Sequence, residues 1–180
     1  MAQLSVTLTS SFLCSCPATL LRYCQKHLDL IDRLEPGLLL HSAGHLLDIC
    51  MKNVGLSHLE PRKGYHFPDG PFVEYKGLVL HNELQTKQKE LEQEINGLVS
   101  RVGKVTVDVL PYEEATEMCG SCLPDYIAKE NTPCIVKFGN YPGCPCGGTH
   151  VYDISEIISV IVSQIRMKKG VTKVFYNVGK

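Results

Sequence analysis

The sequence predicts an α+β fold in which a largely antiparallel sheet packs on helices. Three observations carry this. Short β-branched and aromatic runs recur along the chain, and turn chemistry joins several of them as hairpins. Two longer segments show helical signals instead. Strands and helices follow one another without the β-α-β rhythm of a parallel sheet.

The elements are justified in order. Residues 1–22 have no clear period and form an unassigned N-terminal segment; residues 23–180 are read as one domain. "YCQKHLDLID" (Tyr23 to Asp32) alternates loosely, as an edge strand would. "LEPG" then breaks the chain, and a helix runs from about Leu38 to Lys52 with Pro36 suited to its start and Gly55 to its stop. "KGYHFPDGPFVEYKG" (Lys63 to Gly77) reads as a hairpin around Pro68-Asp69-Gly70-Pro71. Asn82 is a candidate cap for a polar helix to about Arg101, in which "KQKELEQE" offers charge pairs at helical spacing. "KVTVDVL" (Lys104 to Leu110) alternates as a strand, and "PYEEATEMCG" (Pro111 to Gly120) is a short helix with early acids and a terminal Gly. "CIVKF" (Cys134 to Phe138) is a buried strand, and residues 139–150 form a Gly/Pro-rich loop. The chain ends in two strands joined by the basic turn Met167 to Gly170.

With 180 residues the chain can bury a core without disulfide staples, so its nine cysteines read as reduced thiols of a cytoplasmic protein. A net charge of -1 excludes a uniformly basic nucleic-acid coat but not a basic patch. No apolar stretch is long enough to span a bilayer. The first 28 residues contain no acid, as in organellar transit peptides, but hold only one Arg and one Lys, so cytoplasmic residence is the favoured reading.

Two half-motifs carry the chemistry. His41 and His45 stand four apart, which places both imidazoles on one helix face, one turn apart. Cys146 and His150 are also four apart, separated in part by Gly147-Gly148, which lets the backbone turn sharply. Alone, each has a plain structural reading: two polar residues on a packed helix edge, and a tight turn with a surface cysteine. Together they offer three nitrogens and one thiolate, a donor set that suits a tetrahedral Zn2+. Cys144 could replace a ligand or stand behind one. Cys119 and Cys122 form a C-x-x-C at a helix end with no matching second pair, and a structural role is the simpler reading. His58, His66 and His81 read as surface or turn residues.

"HSAGHLL" and "CGGTH", with "GYHFPDGPFVEYKG" between them, resemble the editing domain of alanyl-tRNA synthetases, and more closely the freestanding alanyl-tRNA editing proteins called AlaX. Related domains occur in threonyl-tRNA synthetases. The likeness spans about Leu38 to Val178 and includes "LPYEEA" (Leu110 to Ala115) and "THVYDISEI" (Thr149 to Ile157). It implies an editing-domain-like fold and hydrolysis of the ester of alanine-specific tRNA mischarged with serine or glycine. It also implies one zinc on His41, His45, Cys146 and His150. The substrate pocket would lie between that zinc and the hairpin Gly64 to Tyr75, which carries Gly64, His66 and Glu74 over as pocket residues.

Longer members of that family carry an N-terminal domain with a Gly-rich motif, which this sequence lacks; it resembles the short form or a truncated longer one. No ATP-binding or aminoacylation motif is recognisable, so the chain is not expected to charge tRNA. No Ser-His-Asp arrangement is recognisable either, and Cys146 is better used as a ligand than as a nucleophile. The basic segments are Arg62-Lys63, Arg101 to Lys104 and "RMKKGVTK" (Arg166 to Lys173), in which Lys168, Lys169 and Lys173 could contact tRNA phosphates or simply form a solvated turn. Two other functions compete with deacylation: a non-catalytic zinc module that binds tRNA or a synthetase, and a thiol redox protein.

Overall fold

The computed structural model describes residues 36–120 and 123–179. The segment 1–22, the strand expected at Tyr23 to Asp32 and Cys122 lie outside these residues. The described chain is α+β, with helices α1 (Pro36–Asn53), α2 (Leu84–Arg101) and α3 (Tyr112–Cys119). Strands are β1 (Glu60–Tyr65), β2 (Phe72–Lys76), β3 (Val105–Val109), β4 (Cys134–Phe138), β5 (Cys144–Pro145), β6 (Val160–Lys168) and β7 (Val171–Val178). They form two antiparallel sheets rather than one, ordered β1-β2-β7-β6 and β3-β4-β5.

Helix α1 buries Leu38, Leu40, Ala43, Leu46, Leu47, Cys50 and Met51, a stripe too broad for a surface helix. Each buried Leu contributes about 1.5–3 kcal/mol of transfer free energy. The helix stops in a Schellman closure: Gly55 adopts φ 80°, its N–H donates to Lys52 O and the N–H of Leu56 donates to Met51 O at 2.8 Å.

Helix α2 explains why a polar segment is helical at all. Leu91, Ile95, Leu98 and Val99 face the core. Gln88, Glu92 and Asn96, one turn apart, face β6, an edge strand whose backbone groups need partners. Asn96 Nδ2 donates to Val160 O at 2.7 Å and Asn96 Oδ1 accepts from Val160 N at 2.9 Å. Glu92 accepts from Val162 N at 2.8 Å, and Gln88 donates to Val162 O at 2.8 Å. The helix thus caps a sheet edge with side chains. Its expected start differs: Asn82 lies inside a short 3-10 turn (His81–Glu83), and no side-chain cap bond precedes α2.

The core gathers α1, α2 and the inward faces of both sheets. A smaller cluster of Ala115, Cys119, Leu123, Ile127 and Ile135 seats α3 on β4. Pro111 caps α3 instead of occupying its first turn, and Gly120 closes it at φ 64°. The loop expected over residues 139–150 contains β5, whose pairing with β4 carries Cys144 and the following Cys146 toward α1. The N–H of Cys146 donates to Cys134 O at 3.0 Å, and Ser42 Oγ on α1 accepts from Val151 N at 3.1 Å, which ties the loop to β4 at one end and to α1 at the other.

Candidate metal centre

Helical spacing turns His41 and His45 to one side of α1, with ring centroids 4.9 Å apart. The loop after β5 brings in Cys146 and His150 from more than a hundred residues away. One donor atom from each of these four residues lies within 4.8 Å of every other, so the group could hold a metal ion. His150 stands 4.3 Å from His41 and 5.0 Å from His45, centroid to centroid.

The donors are prepared electrically. Burial holds the His45 and His150 imidazoles well below the usual histidine range, and the neighbouring histidines push in the same direction. Burial also lowers His41, opposed by its hydrogen bond to Thr149. All three are therefore neutral at physiological pH, the form that binds metals. Among the described residues, His45 Nε2 and both ring nitrogens of His150 are buried with no hydrogen-bond partner. Orphaned buried polar atoms are costly, and one ion could satisfy His45 Nε2 and one of the two His150 nitrogens together.

Supporting contacts set the tautomers. His41 Nδ1–H donates to Thr149 O at 3.0 Å, which leaves Nε2, 3.4 Å from Cys146 Sγ, as the lone-pair nitrogen. Burial pushes the Cys144 thiol up, so it stays protonated; its S–H donates to Val136 O at 3.7 Å. Its sulfur, 3.3 Å from His45 Nδ1, then accepts from that nitrogen and leaves His45 Nε2 bare. Cys144 stands behind a donor, one of the two roles open to it. Such outer partners orient ligating imidazoles and raise their basicity.

His66 is half-buried against this group, not a surface histidine, with its ring centroid 4.8 Å from His41. Its Nδ1–H donates to the Tyr176 hydroxyl oxygen at 2.6 Å, and Tyr176 donates onward to Leu40 O at 2.8 Å. Burial, aided by His41, lowers His66 to about 4, so its Nε2 carries a lone pair at neutral pH. The ring sits between two glycines. A Cβ on Gly44 would lie 2.4 Å from His66 Cε1, and one on Gly64 would lie 2.1 Å from Nε2. Gly148 plays the same part for His41, whose Cε1 would be 2.2 Å from an added Cβ. Its role in "CGGTH" is therefore clearance for the imidazole rather than a left-handed turn.

Other expected site residues lie elsewhere. Glu74 shares the β2 strand with Tyr75 but points to the opposite sheet face, 3.5 Å from both Arg62 and Lys173. Lys168, Lys169 and Lys173 lie on the β6–β7 hairpin, on or beside that outer face. His58 and His81 are exposed, and Cys119 is buried at the end of α3. Thr149, Tyr176 and Gly44 were invisible as site residues in the sequence: one acts through its carbonyl, one crosses from the last strand, and one matters for what it lacks. No described helix is long and apolar enough to cross a membrane.

No protein-family model matches the chain. Over 138 residues, 74% of this chain, it is 25% identical to the alanine–tRNA ligase of Alkaliphilus oremlandii (strain OhILAs). The chain spans about 15% of that relative's length.

Proposed function

We propose that this chain is a trans-acting aminoacyl-tRNA deacylase, similar in fold to the editing domain of alanyl-tRNA synthetase. It clears alanine-specific tRNA mischarged with serine or glycine in the cytoplasm, with Zn2+ on His41, His45, Cys146 and His150. The observation that carries the reading is the convergence of these four donors from two distant half-motifs. Similarity to part of an alanine–tRNA ligase supports a tRNA-related substrate.

Bound zinc would polarise a nearby carbonyl or water, or simply hold the pocket's shape. The chain's own groups do the rest. Cys146 serves as a ligand, which removes it as a nucleophile. His66, fixed by Tyr176 between Gly44 and Gly64, offers Nε2 as a hydrogen-bond acceptor beside the metal centre. A site that bonds serine's hydroxyl separates serine from alanine far better than an apolar slot separates near-isosteres. The ester itself is labile, so positioning accounts for most of what the pocket must supply.

Four protein donors fill a tetrahedral site, the pattern of a structural zinc. That observation favours a second reading, a zinc-containing module that binds tRNA or a synthetase without turnover. Deacylation of serine-charged alanine tRNA, with alanine-charged tRNA as control, separates the two. Serine-selective hydrolysis that falls on chelation supports the deacylase. A zinc-loaded, folded protein without turnover supports the module and overturns the enzyme.

A further inference from the structure

Two exposed leucines stand against the basic turn between β6 and β7. Leu78 and Leu80, just after β2, are 52% and 64% exposed, and Val79 between them is only 4% exposed. This out-in-out alternation points both leucines to one side, away from the core. Val79 anchors the segment, and Gly77 fastens it to the turn. The Gly77 N–H donates to Gly170 O at 2.9 Å, and Thr172 Oγ1 donates to Gly77 O at 2.8 Å. The leucines are therefore held beside Lys168, Lys169 and Gly170. A single exposed leucine needs no explanation; a same-sided pair fastened to a lysine turn does.

The turn supplies charge although the whole chain carries -1. Lys168 and Lys169 are exposed and form no ion pair among the described residues. Lys169 holds φ 50°, a left-handed conformation that Gly or Asn adopts at lower cost, so the lysine sits there against its backbone preference. Two acids are near. Glu60 pairs with Lys76 at 3.2 Å, and Glu83 follows Leu80 in the 3-10 turn, which leaves the two turn lysines uncompensated. The metal centre lies toward the other end of the same sheet. Tyr176, which holds His66, is five residues along β7 from Val171, about 17 Å at the rise of a strand. A contact at the tip therefore leaves that centre open.

We propose that this tip docks on an anionic bilayer surface. Leu78 and Leu80 enter the boundary between headgroups and acyl chains, and Lys168 and Lys169 lie at the level of the lipid phosphates. Apolar burial and attraction to anionic headgroups add in such interfacial contacts, so a few side chains of each kind suffice for reversible binding. The contact lies on the membrane and needs no spanning helix. A stable protein partner would need a broad, shape-complementary patch. Two leucines at a hairpin tip offer no such patch, but they can enter a soft boundary. The docking is independent of the chemistry at the metal centre.

The test is co-sedimentation of the zinc-loaded full chain with phosphatidylcholine vesicles, with and without phosphatidylserine. Binding is expected to require phosphatidylserine and to weaken as salt rises. Lys168→Ala and Lys169→Ala are each expected to weaken it about fivefold, and Leu80→Ser about tenfold. Both leucines are exposed, so the Leu78→Ser, Leu80→Ser double variant is expected to fold and keep its zinc. The chain has no Trp, so Leu80→Trp installs a single indole whose emission reads insertion directly. Brominated phospholipid is expected to quench it only in vesicles that contain phosphatidylserine. No sedimentation with either vesicle overturns the proposal and leaves the tip to solvent or to another macromolecule. Sedimentation of the double leucine variant equal to wild type, or an indole that bromine does not quench, overturns it in favour of adsorption by charge alone. Equal binding with and without phosphatidylserine overturns the choice of an anionic surface.

Discussion

His41 donates its Nδ1–H to the carbonyl of Thr149 at 3.0 Å, so the helical half of the metal centre is held by the loop half directly. The contact reaches across 108 residues of sequence and fixes the tautomer in which Nε2 faces Cys146. Its length depends on Gly148, whose missing side chain is the space His41 Cε1 occupies.

Gly148→Ala tests that clearance. A Cβ 2.2 Å from an imidazole that is also bonded to Thr149 cannot be absorbed without moving the ring. The variant is expected to bind zinc about 10–100-fold more weakly, as when a ligand's orienting contacts are lost. Competition with a colorimetric chelator measures it, and affinity equal to wild type refutes the clearance argument.

Removing a donor differs from removing its support. His45→Ala and Cys146→Ala each delete one donor, and both are expected to lose stoichiometric zinc and to melt well below wild type. Cys144→Val deletes only the acceptor behind His45 Nδ1. It should keep one zinc per chain at an affinity about 10–100-fold lower. Metal analysis after gel filtration distinguishes them, and a Cys146→Ala protein with full zinc would sink the ligand assignment.

Asn96 predicts a stability effect away from the site. It satisfies both the N–H and the C=O of Val160 on the edge strand β6. Asn96→Ala leaves both without their side-chain partner, at a cost of about 2–3 kcal/mol. It also bares part of a sheet edge, so a greater tendency to aggregate on heating is expected. Urea unfolding and light scattering read the two effects. A loss under about 0.5 kcal/mol, the size of an ordinary surface change, would mean water replaces the side chain freely.

What was legible in the sequence was whatever local chemistry encodes. The i,i+4 histidines, the "CGGTH" loop and Gly120 each signal their conformation within a few residues. The stripe Gln88-Glu92-Asn96 shows helical spacing, but its purpose depends on β6, more than sixty residues on. Glu74 illustrates the opposite failure. Its hairpin was recognisable, yet which face it takes follows from register with β7, where it pairs with Lys173. His66 looked like a turn residue because nothing local announces that the Tyr176 hydroxyl will accept its hydrogen bond.

Asp48 gives a pH dependence with a definite sign. It accepts the Tyr75 hydroxyl hydrogen bond at 2.7 Å, and burial raises it from an ordinary 3.8 to about 6. A raised folded-state pKa means the native chain holds the proton more tightly. Its stabilisation is complete below about pH 4 and is lost as pH rises through about 6. Asp48→Asn removes this titration. The variant's stability relative to wild type should therefore climb by about 1 kcal/mol between pH 5 and pH 7, the part of the shift still titrating there. Histidine titrations are common to both chains and cancel in the difference. Denaturant unfolding of the zinc-loaded pair across that range measures it, and a difference that stays flat or falls with pH would show that Asp48 is ionised throughout.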